Sequence, residues 1–387
     1  MPAIDLPFVV ASDAHLTPSF PAVAADLARL VARHSGHEII LGGDMFSLSS
    51  DPPGRDPAES VAMTLKAEPR LPAALRAHLL AGGKLVFIAG NHDANIVSPG
   101  VRRAMLGVLE LDDSAPLAIE PWFLRRGDVH VEHGHAYDPD NAPAHPLGLW
   151  GYRSEPLGIS LTRRFLAKRN AFAFAHAHET TPVEGLKRAF REFGPTTPIL
   201  VGQYFASAAG ICLEAAFQGR FRREHERGEQ ALRDFAERSG VDETVLRQLI
   251  AQRPAPTHSS FQRTFMRLYF DRVLATVGIP AGLFARLLIS SNAAAALSLA
   301  CAAYLYRSVR GGVNRYSNLP VQRLYEGAEL VRAVTGATAV IFGHTHCEDE
   351  TDGYVNSASF AYTSRPARPY LRVGEDGRIE RKFLERA

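Results

Sequence analysis

The sequence predicts an α/β layered domain that carries a large helical insertion. Short apolar runs alternate with helix-spaced segments through residue 137, and the alternation returns at residue 319. Between these stretches, residues 138–318 read as helices and loops without clear buried strands. Strands alternating with helical patterns are the signature of layered α/β architecture. The expected organisation is therefore a core of residues 1–137 and 319–387 interrupted by a helical cap of residues 138–318.

The elements follow in order. "FVVASDAH" reads as a strand running into a polar loop, and "AVAADLARLVARH" (Ala22 to His34) has helical spacing. "EIILGGD" (Glu38 to Asp44) is a second buried strand. The stretch from Ala58 to Gly83 is helical, interrupted by prolines and stopped by Gly82 and Gly83. "KLVFIAGNHD" (Lys84 to Asp93) and "DVHVEHGH" (Asp128 to His135) are the third and fourth strands. In the insertion, "GEQALRDFAERSGVDETVLRQLIAQR" predicts two amphipathic helices joined at "SGVDE". The core resumes with a helix over Leu319 to Ala337, a fifth strand in "TAVIFGHTH", the segment "GYVNSAS", and a closing hairpin turned at "EDG".

Composition narrows the function. With 387 residues, 46% hydrophobic and 22% charged, the chain is an ordinary globular protein of one large or two average domains. A formal charge of +2 gives no electrostatic reason to expect nucleic acid as the main partner. Cys212, Cys301 and Cys347 are too scattered for a disulfide framework or a thiolate metal site. The first apolar run, Phe8 to Val10, is too short for a signal peptide, so cytoplasmic residence is expected. The uncharged stretch Leu287 to Tyr306 has bilayer-spanning length but is dominated by Ala and Ser. It is expected to be a buried Ala-rich helix. The alternative is peripheral membrane contact, helped by the flanking Arg286, Arg307 and Arg310.

The chemistry collects where strands stop. The first ends in "SDAH" (Asp13, His15), the second in "GGD" (Asp44), the third in "GNHD" (Asn91, His92, Asp93), the fourth in "EHGH" (His133, His135) and the fifth in "GHTH" (His344, His346). In layered α/β folds ligands bind beyond the carboxyl ends of the strands. Imidazole with carboxylate suits manganese, iron or zinc. The candidates exceed the needs of one ion and suit two, roughly 4 Å apart with a bridging carboxylate. An isolated Asp or His here would be a loop cap or a core histidine; five motifs together favour metal. His176 and His178 form a rival pair, but no strand precedes them, and side chains two apart on a helix diverge.

The series "DAH…GGD…GNHD…HGH…GHTH" resembles the calcineurin-like metallophosphoesterases in order and context. The resemblance covers Pro7 to Tyr137 and Leu319 to the C-terminus, not the helical middle. It implies a four-layer α/β/β/α sandwich and a dinuclear centre. Asp13, His15, Asp44 and His346 would hold one ion. Asp44, Asn91, His133 and His344 would hold the other, with Asp44 as the bridge and manganese the first expectation, iron or zinc the alternatives. The implied reaction is phosphoester hydrolysis by a metal-activated hydroxide. His92 would contact the phosphate or protonate the leaving oxygen, with Asp93 beside it as an orienting group.

The helical middle also resembles the acyl-binding cap of the UDP-2,3-diacylglucosamine pyrophosphohydrolases. This insertion is longer, and His92 stands where those enzymes carry Arg, which favours the general phosphoesterase pattern. Candidate substrate contacts are His135 and, from "RRFLAKRN", Arg164, Arg169 and Asn170. The expected substrate is a lipid-linked or nucleotide-linked phosphoester near a membrane surface. A nuclease or cyclic-nucleotide phosphodiesterase is the alternative.

Overall fold

The computed structural model of the protein describes residues 7–151, 153–169, 182–217, 219–289, 292–310 and 319–386. In chain order its strands are β1 (Phe8–Ala11), β2 (Glu38–Gly42), β3 (Lys84–Ile88), β4 (Leu117–Glu120), β5 (Phe123–Arg126), β6 (Val129–Glu132), β7 (Ala339–Phe342), β8 (Glu350–Thr351), β9 (Tyr354–Asn356), β10 (Ala367–Val373) and β11 (Ile379–Glu385). The helices are α1 (Pro21–Arg33), α2 (Pro57–Lys66), α3 (Arg70–Leu80), α4 (Pro99–Leu109), α5 (Leu157–Leu161), α6 (Ala167–Arg169), α7 (Pro182–Phe193), α8 (Thr197–Ala216), α9 (Gly219–Gln230), α10 (Leu232–Ser239), α11 (Glu243–Gln252), α12 (Phe261–Arg267), α13 (Phe270–Ile289), α14 (Asn292–Arg310) and α15 (Leu319–Thr335).

Two mixed sheets organise the α/β part. One has the order β11-β10-β1-β2-β3-β4, the other β5-β6-β7-β9-β8. Strands β1 to β4 run parallel, as do β6, β7 and β9, while the hairpin β10–β11 joins β1 antiparallel. The buried strands are apolar on both faces, as strands covered on both sides must be. Their period of two sorts the side chains. Phe8, Val10, Ile40, Val86 and Ile88 face a cluster shared with Val129, Val131, Ile341 and Val355 of the other sheet. Val9, Ala11, Ile39, Leu41, Leu85 and Phe87 face the opposite way, into a cluster with residues of α1 to α4. The second sheet sends Val340 and Phe342 outward, to Leu324, Ala328 and Val331 of α15. Each such aliphatic side chain contributes about 1.5–3 kcal/mol when fully buried, so a one-residue slip of any strand is strongly disfavoured.

Local signals fix the ends of several helices. Asp56 caps α2 by accepting from Ala58 N at 3.0 Å, Asp242 caps α11 through Thr244 N at 2.7 Å, and Pro21 and Pro99 open α1 and α4. α10 stops at Gly240, which takes a left-handed φ of 68°.

The chain divides into two compact units. One comprises Met1–Arg163, Gly219–Pro256 and Pro320–Ala387; the other comprises Arg164–Gln218 and Thr257–Leu319. Between β6 and β7 the described residues form helices and loops with no strand, as expected, but they do not all stand apart. Residues 138–163 and α9 to α11, expected in the insertion, belong to the unit with the sheets. The reason lies in α10 and α11. Their apolar stripes (Leu232, Phe235, Leu246, Leu249) need a cover, and they find it against Trp122 and Phe123. A second expectation is corrected in the other unit. Leu287 to Tyr306 is not one buried helix: α13 ends at Ile289, α14 begins at Asn292, and Leu287, Leu288, Leu299 and Tyr306 are exposed.

Candidate metal centre

The predicted ligands gather at the carboxyl ends of β1, β2, β3, β6 and β7, and their loops are stitched by backbone bonds. Asp13 N donates to Gly43 O (3.0 Å), His15 N to Asp44 O (2.9 Å), Gly343 N to His133 O (3.1 Å) and Ala361 N to Asp13 O (3.1 Å). The turns are sharp. Asp13, His15, Asp44, His344 and His346 all have φ between 43° and 69°, in the left-handed region where a side chain costs about 1–2 kcal/mol. Such strain persists where surrounding structure over-determines it, typically at functional sites. Glycines provide the space. A Cβ on Gly90 would sit 2.2 Å from Asp44 Oδ1, and one on Gly343 would sit 2.6 Å from Asp13 Oδ2.

Two trios of ligand atoms result: Asp13, His15 and His346, and Asp44, His133 and His344, each with its atoms within 4.8 Å of one another. Asp44 faces both. Its Oδ2 lies 3.2 Å from His133 Nε2 and 3.9 Å from His15 Nε2. Asn91 Oδ1 is 3.1 Å from His133 Nε2, which adds a neutral oxygen on that side. His15 and His346 turn their Nε2 atoms toward each other at 3.4 Å, and His346 Nε2 is 3.0 Å from Asp13 Oδ1. Asp13 thus turns Oδ1 to His346, whereas its Oδ2 accepts from the Ser12 hydroxyl and His344 N.

The hydrogen bonds around the imidazoles determine which nitrogen can bind. His133 Nδ1 lies 3.1 Å from the Gly42 carbonyl, which can only accept. Nδ1 therefore keeps its proton, which leaves Nε2, facing Asp44 and Asn91, as the nitrogen that could bind a metal. His344 Nε2 pairs with Asp138 Oδ2 at 3.0 Å, which leaves Nδ1 as its ligating nitrogen. A carboxylate behind a ligating histidine is the usual way to fix tautomer and raise basicity. Asp138 is itself held by Asn141 Nδ2 at 2.7 Å, and Asn141 Oδ1 accepts from Asn91 Nδ2 at 3.2 Å. One polar chain thus links ligands from β3 and β7.

The electrostatics favour positive charge between these groups. Burial works against a charged His133, but the carboxylates of Asp44 and Asp13 outweigh it and push that imidazole up to about 10. Burial would raise Asp13 and Asp44; the surrounding imidazoles instead draw Asp13 down to about 2 and hold Asp44 well below the usual carboxylate range. Burial drives His15 down to about 3, leaving it neutral and fit to ligate. A field that protonates His133 is satisfied equally by divalent cations. The donor set, nitrogen and carboxylate oxygen without thiolate, fits manganese, iron or zinc. Cys347, although next to His346, turns its Sγ to Thr345 O at 3.3 Å.

The other candidates divide. His92 Nδ1 bonds Ser49 Oγ at 2.6 Å, and its ring lies 5.0 Å from that of His15. Asp93, grouped with His92 from sequence, is fully buried and accepts from four amides: Gly90 and Asp44 on Oδ1, Met45 and Phe46 on Oδ2. It shapes the Asp44 loop and has no oxygen left for substrate. His135 sits against His133 (ring centroids 5.4 Å) and Trp150 (6.4 Å). Arg164 lies in the other unit, paired with Glu214. Its neighbour Arg163 bonds Ser49 O at 3.0 Å instead, behind His92. Asn170, the side chain of Arg169, His176 and His178 fall outside the described residues.

Ser49, Asn141 and Tyr362 carry no motif and were not anticipated. Tyr362 stacks on His346 at 5.6 Å and lies 5.2 Å from His15, half exposed beside the first trio. Its only sequence signal is an aromatic residue in a Ser-rich loop after β9. No protein-family model and no curated protein matches the chain.

Proposed function

We propose that this protein is a metal-dependent phosphoester hydrolase with a dinuclear centre. The observation that carries the reading is the position of Asp44, whose Oδ2 faces a histidine of each ligand trio. Asp13, His15, Asp44 and His346 would hold one ion, and Asp44, Asn91, His133 and His344 the other. Helices on α1–α4's side, two sheets face to face, and α10, α11 and α15 beyond the second sheet support the four-layer arrangement of the calcineurin-like phosphoesterases. Divalent ions bound here would activate water as a nucleophile and neutralise charge on the phosphoryl oxygens.

The protein's own groups do the rest. Asn91 contributes an uncharged oxygen, which keeps the negative charge facing an anionic substrate low. Ser49 fixes the His92 ring, so its Nε2 is the nitrogen that can give a proton to the leaving oxygen. Asp93 and Asp138 hold loop and imidazole in place. His135 and Tyr362 border the ligands and are proposed to meet the substrate. Within this reaction class we favour a lipid-linked or nucleotide-linked phosphodiester or pyrophosphate; a near-neutral chain gives no support to a nuclease.

The test is hydrolysis by manganese-loaded protein of a generic aryl phosphodiester, an aryl phosphomonoester and UDP-2,3-diacylglucosamine, with Asp44→Ala as control. Turnover that vanishes in the variant and on chelation is expected. If the metal-loaded protein cleaves no phosphoester, or Asp44→Ala keeps the full rate, the reading fails.

A further inference from the structure

We propose that the hairpin of α13 and α14 enters an anionic lipid bilayer, tip first. The two helices pack on each other through small residues. A Cβ on Gly278 would lie 2.6 Å from Cys301 Sγ, and one on Gly282 would lie 2.3 Å from Ser298 Oγ and 2.7 Å from Ala294 O. Ser298 Oγ donates across the pair to Ile279 O at 2.9 Å. The large apolar side chains point the other way: Leu287 is 81% exposed, Ile289 70%, Leu288 68% and Phe284 63%, and Leu299 is 72% exposed on the facing helix.

This arrangement is the reverse of a helix pair made for water, where Leu, Ile and Phe go inside. It is the arrangement of helices in lipid, where small residues let backbones approach and the large ones meet acyl chains. Length agrees. α13 has 20 residues and α14 has 19, about 30 Å each, the thickness of a hydrocarbon core. α13 is apolar enough to cross a membrane by length and composition, and little of that stretch is buried.

Charge selects the kind of lipid. From Arg272 to Tyr325 the sequence has no Asp or Glu, and its cations are all arginines. In the hairpin these are Arg286 near the tip, bonded to Asn292 Oδ1 at 3.1 Å, with Arg272, Arg307 and Arg310 at the base. Apolar side chains bordered by four arginines, with Asp271 at the foot of α13 as the one carboxylate of the two helices, match an anionic leaflet. The inference stands apart from the phosphoesterase reading and uses none of its residues.

The experiment is flotation of the full chain with phosphatidylcholine vesicles, with and without phosphatidylglycerol. Wild type should float with the anionic vesicles, less at high salt. The triple variant Leu287→Glu, Leu288→Glu, Ile289→Glu should bind at least ~10-fold more weakly, at unchanged melting temperature. A second readout avoids charged variants: Phe284→Trp should gain quenching by brominated acyl chains that wild type lacks. Wild type that stays unbound, a triple variant that floats equally well, or a tryptophan at position 284 that is not quenched would each overturn the proposal. So would a wild-type dimer that the triple variant converts to monomer without any lipid binding, because the exposed face would then cover a second copy.

Discussion

His133 turns its Nε2 to within 3.2 Å of Asp44 Oδ2 because its Nδ1 is tied to the Gly42 carbonyl of β2. The backbone of one strand thus fixes which nitrogen a candidate ligand after another strand presents. Asp44 follows two residues after Gly42, so the carbonyl that orients the imidazole and the carboxylate that faces it move together.

The same logic applies at His344, where the orienting group is a side chain and can be removed. Asp138→Asn should lower divalent metal affinity about 10–100-fold, the usual effect of losing such a carboxylate. Competition against a chelating dye reads it directly. Unchanged affinity would mean that His344 does not ligate through Nδ1.

Gly90 is a steric requirement. Gly90→Ala places a methyl carbon 2.2 Å from Asp44 Oδ1 and 2.4 Å from Asp44 N, and backbone cannot swing aside. A loss of about 1–3 kcal/mol in urea unfolding is expected, together with lower metal content. Gly36→Ala, where nothing lies within 4 Å, is the neutral comparison.

Ser49→Ala releases the His92 ring. If His92 serves as the acid, kcat should drop while KM and bound metal stay near wild type. His92→Gln should lose more, about 10²–10⁴-fold. Equal kcat in Ser49→Ala and wild type would remove Ser49 from the positioning chain that runs from Arg163 to His92.

Glu224, away from the ligands, ties stability to pH. Burial pushes its carboxyl up to about 7, although it accepts from the Ser154 hydroxyl and Gly151 N; its Oε2 is buried with no hydrogen bond among the described residues. The unfolded chain releases this proton near the ordinary value of 4.5, the folded chain only near 7. Between those values the folded state holds the extra proton, so stability falls as pH rises through the interval and levels off above it. Glu224→Gln should erase this slope. Urea midpoints of the two proteins should approach each other at pH 4.5 and separate at pH 8, the variant being the more stable there. Parallel curves would refute the assignment.

The strands and the gathering of the candidate ligands were legible because each apolar run stops at an Asp, Asn or His, so one pattern reports both. β4 and β5 were not anticipated: four residues each, half-buried after their first position, and separated only by Pro121 and Trp122, they lack a sustained period. Ser49 and Asn141 were invisible for another reason. Short polar residues in loops acquire meaning only from what folds against them. Asp93 reads from sequence as a partner of His92, but its four amide donors come from the loop after β2 as well as from Gly90, and no spacing announces that. Leu287 to Tyr306 shows the limit of composition, which measures how apolar a helix is but not what covers it.

His15 and His346 approach to 3.4 Å across 331 residues of chain, and β1 pairs on one side with β10. During synthesis the first half of the ligand set therefore waits for the last part of the chain to emerge. Asp13, His15 and Asp44 are translated early, yet the pocket closes only after β7 is made. Truncation anywhere before His344 should then leave both trios of candidate ligands incomplete, and a chelating-dye competition should find no tight divalent site.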